Sequence, residues 1–255
     1  MHDARMRRLS AGWMIAVLGA LALAVAAAWM ARTLYMDGRL LRAPPEDIAA
    51  RADLVRYAQG VAAPVYRSHC AGCHGADLRG DSSRGVPNLT DHEWLYGDGS
   101  IAQIQQTITH GIRSGDPKGR SLAVMPAFAH PDPAGREKVN PLTPAEVGDL
   151  VEFLFSIEGR PADAAAAVRG ARLYSDKGVC YDCHTRDAQG DQDIGAPNLT
   201  DAVWLYGDGS RRSVFNSIAQ GRAGACPGWS RRLRPAVLRA LAVFVYASSH
   251  PHAPG

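Results

Sequence analysis

Two copies of a cysteine and histidine motif are the part of this sequence whose residue types and spacing best indicate chemistry. Each copy has two cysteines separated by two residues and followed at once by a histidine, and the copies lie 110 residues apart. C-x-x-C-H is the attachment signature of a c-type haem. Two thiols on one turn of helix add to the vinyl groups of one porphyrin, and the histidine becomes the proximal iron ligand. The six residues are Cys70, Cys73, His74, Cys180, Cys183 and His184.

Two other kinds of site also use a closely spaced cysteine pair. A redox-active disulfide or half of a zinc site contains C-x-x-C, but neither requires the histidine. Two copies in matched sequence context favour haem. We therefore predict two covalently bound haem c groups.

An internal repeat surrounds the two motifs. The segments that match at the offset of 110 residues are 87–91 with 197–201 (Pro-Asn-Leu-Thr-Asp) and 94–100 with 204–210 (Trp-Leu-Tyr-Gly-Asp-Gly-Ser). After Gly111 and Gly221 the offset falls to 101, so Met125 aligns with Cys226. Self-similarity at one period indicates repeated copies of one fold. The sequence therefore predicts two tandem domains.

The helical signals predict an all-α fold, in which a single N-terminal transmembrane helix is followed by two tandem cytochrome c domains. Strand patterns are weak, and each copy closes with an amphipathic helix, at 143–157 and at about 234–247. Pro144 and Pro235 fall in the first turns of these helices, where proline is tolerated. The predicted divisions are a cytoplasmic N-terminus at 1–10, an anchor at 11–31, a linker at 32–52 and cytochrome c domains at 53–159 and 160–255.

The N-terminal segment has the features of a membrane anchor. Ala11 to Ala31 are 21 uncharged residues, which as a helix span about 30 Å, the thickness of the hydrocarbon core of a bilayer. A cleaved signal peptide is the alternative, but its apolar region is shorter, and Trp13 and Trp29 are placed like interfacial anchors. Arginines precede the segment, so the N-terminus is expected in the cytoplasm of a bacterium and the haem domains in the periplasm, tethered to the inner membrane.

The candidates for the sixth ligand of each haem iron differ between the two copies. Met125 precedes a proline in the loop before the last helix of the first copy, the usual place of a distal methionine in small c-type domains. The other methionines lie in or near the anchor, so at most one haem has histidine and methionine ligation. Cys226, the cysteine outside the motifs, takes the aligned position in the second copy. As a thiolate ligand, Cys226 would lower the reduction potential of its haem. The alternatives for the sixth ligand of this haem are a histidine such as His110 or His130, or an open position beside an inert thiol.

Two prolines and two tryptophans are predicted to support the haems. A proximal histidine is usually oriented by an acceptor on its other ring nitrogen, and the loops with Pro87 and Pro197 resemble the cytochrome c loop whose proline carbonyl has this role. Trp94 and Trp204 are placed to line the haem edge and reach a propionate. Helix packing before a tight turn explains the tryptophans equally well.

Charge and composition narrow the function classes. The net charge of +3 over 255 residues gives no indication of nucleic-acid binding. Residues 52–159 contain 9 basic and 13 acidic residues, and residues 160–255 contain 12 and 8, which gives balances of −4 and +4. Opposite signs favour docking between the two domains, or steering of a basic donor toward the first. An ordinary solvated surface explains them equally well.

With its paired motifs and its repeated Pro-Asn-Leu-Thr-Asp and Trp-Leu-Tyr-Gly segments, the chain resembles the dihaem subunit III (CcoP or FixP) of cbb3-type cytochrome c oxidases over about residues 53–247. The resemblance implies a subunit that takes electrons from a soluble periplasmic cytochrome c and passes them toward the monohaem cytochrome c subunit and the haem-copper catalytic subunit. It implies no oxygen-reducing site in this chain. It also implies that Met125 and position 226 supply the distal ligands, each to the haem of its own domain or to that of the other.

The sequence departs from the family pattern in two places. The second distal methionine is replaced by Cys226, and the Asp-Gly-Ile…Asn-Pro-Leu-Pro segment usual near the anchor is missing. Two other functions therefore stand beside that of an oxidase subunit. One is a divergent dihaem carrier for another periplasmic or membrane oxidoreductase, and the other, less favoured, is a dihaem peroxidase, which needs an open or displaceable ligand.

Overall fold

The structure, a computed structural model, describes residues 2–130 and 139–250. Position 1 of the predicted cytoplasmic segment, residues 131–138 of the predicted first domain and the last five residues of the predicted second domain lie outside this range. The helices are α1 (His2–Arg42), α2 (Pro45–Ile48), α3 (Ala52–His69), α4 (Ala71–His74), α5 (Ile101–His110), α6 (Pro144–Ile157), α7 (Ala164–Ser175), α8 (Tyr181–His184), α9 (Arg211–Gln220) and α10 (Pro235–Ser249). Within the described residues β pairing is limited to isolated bridges. The all-helical prediction is confirmed.

Local sequence explains where the main helices of the two repeats begin. Ser100 and Ser210, at equivalent positions, cap α5 and α9, and each hydroxyl accepts a hydrogen bond from the backbone N–H three residues later. Thr143 and Glu146 form a reciprocal capping box at the start of α6. Such caps satisfy backbone donors that have no partner inside the helix. The repeat therefore produces two sets of helices with matching boundaries.

The closing helices are exchanged between the repeats. Helix α6, which ends the first repeat, packs on α7 and α9 of the second, whereas α10, which ends the second repeat, packs on α3 and α5 of the first. Two equivalent aromatic pairs show this directly. Phe153 of α6 lies against Tyr174 with ring centroids 5.3 Å apart, and Phe244 of α10 lies against Tyr66 at 5.4 Å. We call α3, α4, α5 and α10 the first unit, and α6 to α9 the second unit.

The boundary predicted between residues 159 and 160 follows the sequence repeat, and the helix packing crosses it. Each unit has its own buried cluster, and each cluster contains residues from both repeats. The predicted boundary marks where the first sequence repeat ends and the second begins. A repeat shows which segments are alike, but it does not show which of two equivalent surfaces a closing helix covers.

Three ion pairs hold α6 on the second repeat. Carboxylates three residues apart on α6 each contact a cation of the second repeat, with nitrogen to oxygen distances of 2.6 to 2.7 Å. The pairs are Glu146 with Lys177, Asp149 with Arg169, and Glu152 with Arg211. Some of the acidic residues of the first repeat and some of the basic residues of the second thus form ion pairs with each other.

Helix α1 is longer than the predicted anchor. In the described part of the chain, one helix is long and apolar enough to cross a membrane, over Trp13–Arg42, and an 18-residue stretch of it has a mean hydropathy of 2.3. Residues 32–42 of the predicted linker continue this helix, and Met36 and Leu40, four positions apart on one face, are buried in the cluster of the first unit. This helix therefore reaches the first unit without a flexible connector at that point.

A buried carboxylate fixes the end of α1 to the first unit. Asp37 is 7% exposed and accepts hydrogen bonds from the Tyr57 hydroxyl at 2.8 Å and from Arg234 Nη1 at 3.0 Å. Burial, and next the Asp37 carboxylate, raise the pKa of Tyr57 to about 12, so the phenol stays a donor. Arg234 lies just before α10, and one residue thus joins α1 to both α3 and the exchanged helix.

Candidate functional site

Both cysteine and histidine motifs open onto one cavity. The cavity has a volume of about 850 Å³ and lies along the contact between the two units. All six motif residues line it, together with Met125, Cys226 and both predicted pairs of prolines and tryptophans. The sequence-predicted site residues are therefore brought together in one place, although they come from two repeats.

The first motif lies where α3 turns into α4. Cys70 is the cap residue between α3 and α4, and Cys73 and His74 lie on α4. His74 Nδ1 is 3.4 Å from the carbonyl oxygen of Pro87. Burial lowers the pKa of His74, so its neutral form, which can ligate a metal, is favoured.

The second motif has the same arrangement with a shorter histidine contact. His184 ends α8, and its Nδ1 is 3.0 Å from the carbonyl oxygen of Pro197. His184 is 9% exposed, and burial lowers its pKa. A carbonyl acceptor at Nδ1 fixes the ring tautomer and leaves Nε2 free as a ligand. Both prolines thus occupy the position that the predicted orienting role requires.

The four cysteines of the motifs are free thiols, and burial keeps two of them protonated. Burial raises the pKa of Cys70 and of Cys180 to about 11. A disulfide within either pair is not present in the structure. Two thiols and a histidine on one short turn, repeated at both ends of one cavity, are the donor set of a c-type haem.

The two candidate distal residues are exchanged together with the closing helices. Met125 packs against the buried cluster of the second unit, as do Cys180 and Leu199. Its backbone forms two hydrogen bonds with Arg222, at 3.1 and 2.9 Å, in the segment after α9. Met125 therefore lies on the side of His184, not of His74.

Cys226 has in the first unit the position that Met125 has in the second. Its backbone forms hydrogen bonds of 2.8 and 2.9 Å with Ile112, which follows α5. Burial, and next the neighbouring Cys73, raise the pKa of the Cys226 thiol. Cys226 thus faces the cavity on the side of Cys73 and His74.

The histidines that were alternatives for a distal position lie elsewhere. His110 Nδ1 is 2.9 Å from the Asp116 carboxylate, and neither His110 nor His130 is among the described residues that line the cavity. His69 does line the cavity, but its ring lies against Trp229 with centroids 5.0 Å apart. The geometry favours Cys226 over these histidines as the residue facing the first motif.

Each of the two tryptophans packs against a glycine, and the indole N–H of the second one is buried. A Cβ added to Gly99 would lie 2.0 Å from Trp94 Nε1, and one added to Gly209 would lie 2.5 Å from Trp204 Cδ1, so each indole rests on a glycine. Trp204 Nε1 is buried, and it has no hydrogen-bond partner among the described residues. A buried donor without a partner carries a free-energy cost, which an anionic group in the cavity, such as a haem propionate, would remove.

The repeated tyrosines form the contact between the two units. Tyr96 covers Gly195 and Tyr206 covers Gly85, where an added Cβ would lie 2.0 to 2.2 Å from the nearest ring carbon. Both glycines have a positive φ, +76° and +68°, so a side chain there meets both a clash and an unfavourable backbone conformation. Backbone hydrogen bonds from positions 97 and 207 accompany these contacts on both sides. The loops after the two motifs are thereby packed against each other.

Sequence reasoning missed Arg113, which also lines the cavity. The signal available was a break in the repeat, since Arg113 aligns with Ala223 in the second copy. A single charged residue without a counterpart is a weak signal when the fold is unknown. Its contacts are described below.

The residues present fit two haem c groups. Each motif offers the cavity two thiols and a neutral histidine with a carbonyl behind it, and the sulfur-containing side chains Met125 and Cys226 also line the cavity. The buried, unpartnered Trp204 Nε1 is an additional sign that the cavity takes an anionic ligand.

Comparison with known proteins agrees with this site. The family described as cytochrome c oxidase, cbb3-type, subunit III matches residues 60–154 and 165–245. The FixP subunit of a cbb3-type oxidase from Azorhizobium caulinodans is 38% identical over 211 residues, which cover 82% of this chain and 66% of that protein. The CcoP subunit from Cereibacter sphaeroides is 39% identical over 78% of this chain and 64% of that protein. A CcoP subunit from Rhodobacter capsulatus is 39% identical over 83% of this chain and 69% of that protein. The chain thus spans about two thirds of the length of these relatives. The predicted resemblance is confirmed, and the chain belongs to the subunit III family of cbb3-type cytochrome c oxidases.

Proposed function

We propose that this chain is an electron-transfer subunit with two covalently bound haem c groups. It takes electrons from a soluble periplasmic cytochrome c and delivers them to the monohaem cytochrome c subunit and the haem-copper catalytic subunit of a cbb3-type oxidase. The chain itself contains no oxygen-reducing site. The observation that carries the proposal is that both attachment motifs open onto one cavity.

Each haem, when bound, supplies reversible one-electron exchange between ferric and ferrous iron. Cys70 and Cys73 hold one group and Cys180 and Cys183 hold the other, on the two sides of the contact between the units. Because both motifs line one continuous cavity, the two groups would share it. This arrangement supports direct transfer between the two groups.

The histidines and the exchanged loops complete the iron ligands in this proposal. His184 and Met125 ligate the group held by the second motif, and His74 and Cys226 ligate the group held by the first. A thioether raises the potential of a haem and a thiolate lowers it. The chain therefore holds the two groups at well-separated potentials, with the higher one in the second unit.

Helix α1 supports a membrane location for the first unit. The apolar part of α1 runs directly into the buried cluster of this unit through Met36 and Leu40. We propose that α1 crosses the bacterial inner membrane with the N-terminus in the cytoplasm, and that both units lie in the periplasm with the first nearer the membrane. The orientation rests on the arginines that precede the apolar segment.

The test is purification of the protein from membranes of cells that also make cbb3-type oxidase subunits. We expect two haems per chain, co-purification with the catalytic subunit, and rapid reduction by a soluble c-type cytochrome. A variant with Cys180→Ala and Cys183→Ala should retain one haem. Purification without any oxidase subunit would favour a carrier for another oxidoreductase, and turnover of peroxide by the isolated protein would favour the peroxidase.

A further inference from the structure

Arg113 makes contacts that join the two loops carrying the candidate distal ligands. Its Nε donates a hydrogen bond to the carbonyl oxygen of Gly224 at 2.5 Å, and its Nη1 donates to the carbonyl oxygen of Ala123 at 3.0 Å. Ala123 lies two residues before Met125, and Gly224 lies two residues before Cys226. One guanidinium therefore holds both loops.

The two carbonyls that Arg113 binds are equivalent in the repeat. Ala123 and Gly224 match at the offset of 101 residues that also aligns Met125 with Cys226. Arg113 thus lies between corresponding points of the two loops. Its own repeat equivalent, Ala223, has no side-chain donor, so this contact is made once in the chain and not twice.

The surroundings of Arg113 support a positioning role. Its φ is +47°, a conformation that residues other than glycine rarely adopt. Nη1 also lies 3.2 Å from the Tyr96 hydroxyl, which ties the guanidinium to the contact between the units. A planar group with several donors in a fixed geometry can bind two carbonyls from different directions, which a lysine ammonium does less well.

We propose that Arg113 is a positioning residue for both distal ligands, so that the ligation of one iron is coupled to that of the other. The proposal rests on the proposed function, since it assumes two haems ligated by Met125 and Cys226. Loss of the guanidinium removes one hydrogen bond two residues before each ligand. The backbone hydrogen bonds of Met125 and Cys226 remain, so both distal side chains lose part of their support at once.

The experiment compares three variants of the full protein purified from membranes. Arg113→Gln removes the charge and the fork of donors, and Arg113→Lys keeps the charge but not the fork. Arg212→Gln is the control for loss of one arginine, because Arg212 is exposed on α9 and is not among the described residues that line the cavity. Low-temperature EPR of the oxidised protein reports the spin state of each haem, and carbon monoxide binding to the reduced protein reports open iron positions.

We expect Arg113→Gln and Arg113→Lys to increase the high-spin or carbon monoxide-reactive fraction of both haems, and Arg212→Gln to match the parent. A change at one haem only, or none, in a variant that retains two haems would overturn the proposal. So would parental behaviour of Arg113→Lys, because charge alone would then be sufficient. If Arg113→Gln does not retain both haems, the comparison of Arg113→Lys with the parent tests the proposal by the same two measurements. Failure of the proposed function is visible separately, as a parent protein that lacks two haems or any methionine-ligated signal.

Discussion

The two units build similar sites from the same repeated motifs, and the sites differ most at the distal face. In the second unit Met125 lies on the side of His184, whereas in the first unit Cys226 lies on the side of His74. The histidines also differ, since His184 is buried with a 3.0 Å carbonyl contact and His74 is only half-buried with a contact of 3.4 Å. In the proposed ligation the proximal residues are the same in both units and one distal residue differs, which would set the two potentials apart.

The largest expected effect is that of Met125→Leu. Leucine keeps the volume of the side chain but removes the sulfur, so the iron of the second unit loses its thioether ligand. We expect its midpoint potential to fall by about 100 mV or more, since axial ligands tune haem iron over a wide range. A redox titration followed in the visible spectrum measures both midpoints, and an unchanged upper midpoint would exclude Met125 as the ligand.

Cys226→Met is expected to act in the opposite direction on the other unit. Replacing the thiolate by a thioether should raise the lower midpoint by about 100 mV or more, which makes the two units more alike. The same titration, run beside Met125→Leu, shows whether each substitution moves a different haem. If neither midpoint moves in Cys226→Met, the thiolate assignment is wrong.

A repeat-matched pair of glycines tests how tightly α6 is packed on the second repeat. A Cβ on Gly170 would lie 2.1 Å from the Asp149 carbonyl oxygen, whereas one on Gly60, its repeat equivalent, meets nothing within 4 Å. Gly170→Ala should lower the free energy of unfolding by about 1–3 kcal/mol because of overpacking. Gly60→Ala should leave it unchanged or raise it by up to about 1 kcal/mol, as alanine is the better helix former. Denaturant titrations of both variants measure the difference, and equal effects would contradict the exchanged packing of α6.

The smallest expected effect is on the acid stability of the same junction. Hydrogen bonding to Lys177, and next to the Thr143 backbone, lowers the pKa of Glu146 to about 2 from 4.5. A carboxyl group whose pKa is lower in the folded protein stabilises it above the unfolded value and loses this effect as the pH falls. The contribution of Glu146 is therefore complete above pH 4.5 and is lost toward pH 2.

Glu146→Gln removes this titration. Between pH 4.5 and 2 the variant should lose less stability than the parent, and Lys177→Gln should behave similarly because it removes the main cause of the lowered pKa. Thermal unfolding at several pH values measures this. Parallel pH profiles for Glu146→Gln and the parent would show that the ion pair does not stabilise the junction.

Much of the local structure could be predicted from the sequence. The motif spacing singled out six residues that all line one cavity, and the weak strand patterns and amphipathic closing helices indicated the helical class. The proline loops lie behind the histidines as the prediction requires. These features depend on residues close in sequence, for which local chemistry is sufficient. Counting methionines also showed, without any structure, that the two distal positions differ.

The exchange between the repeats could not be predicted from the same signals. Each closing helix has an apolar face that fits either copy, so hydrophobic periodicity does not distinguish packing within a repeat from packing across it. The same limit explains why residues 32–42 were predicted as part of a linker, since the fit of Met36 and Leu40 depends on α10 being in place. Arg113 was missed because its role exists only where the two loops meet.

The exchange of distal ligands between the repeats is tested most directly with two variants that each retain a single haem. Cys70→Ala with Cys73→Ala leaves the second site, and Cys180→Ala with Cys183→Ala leaves the first. We predict that the long-wavelength charge-transfer band of methionine-ligated ferric haem, and the higher midpoint, persist only when the second site remains, and disappear there on adding Met125→Leu. The same band in the variant that retains the first site would show that Met125 ligates the haem of its own repeat, and would contradict the account.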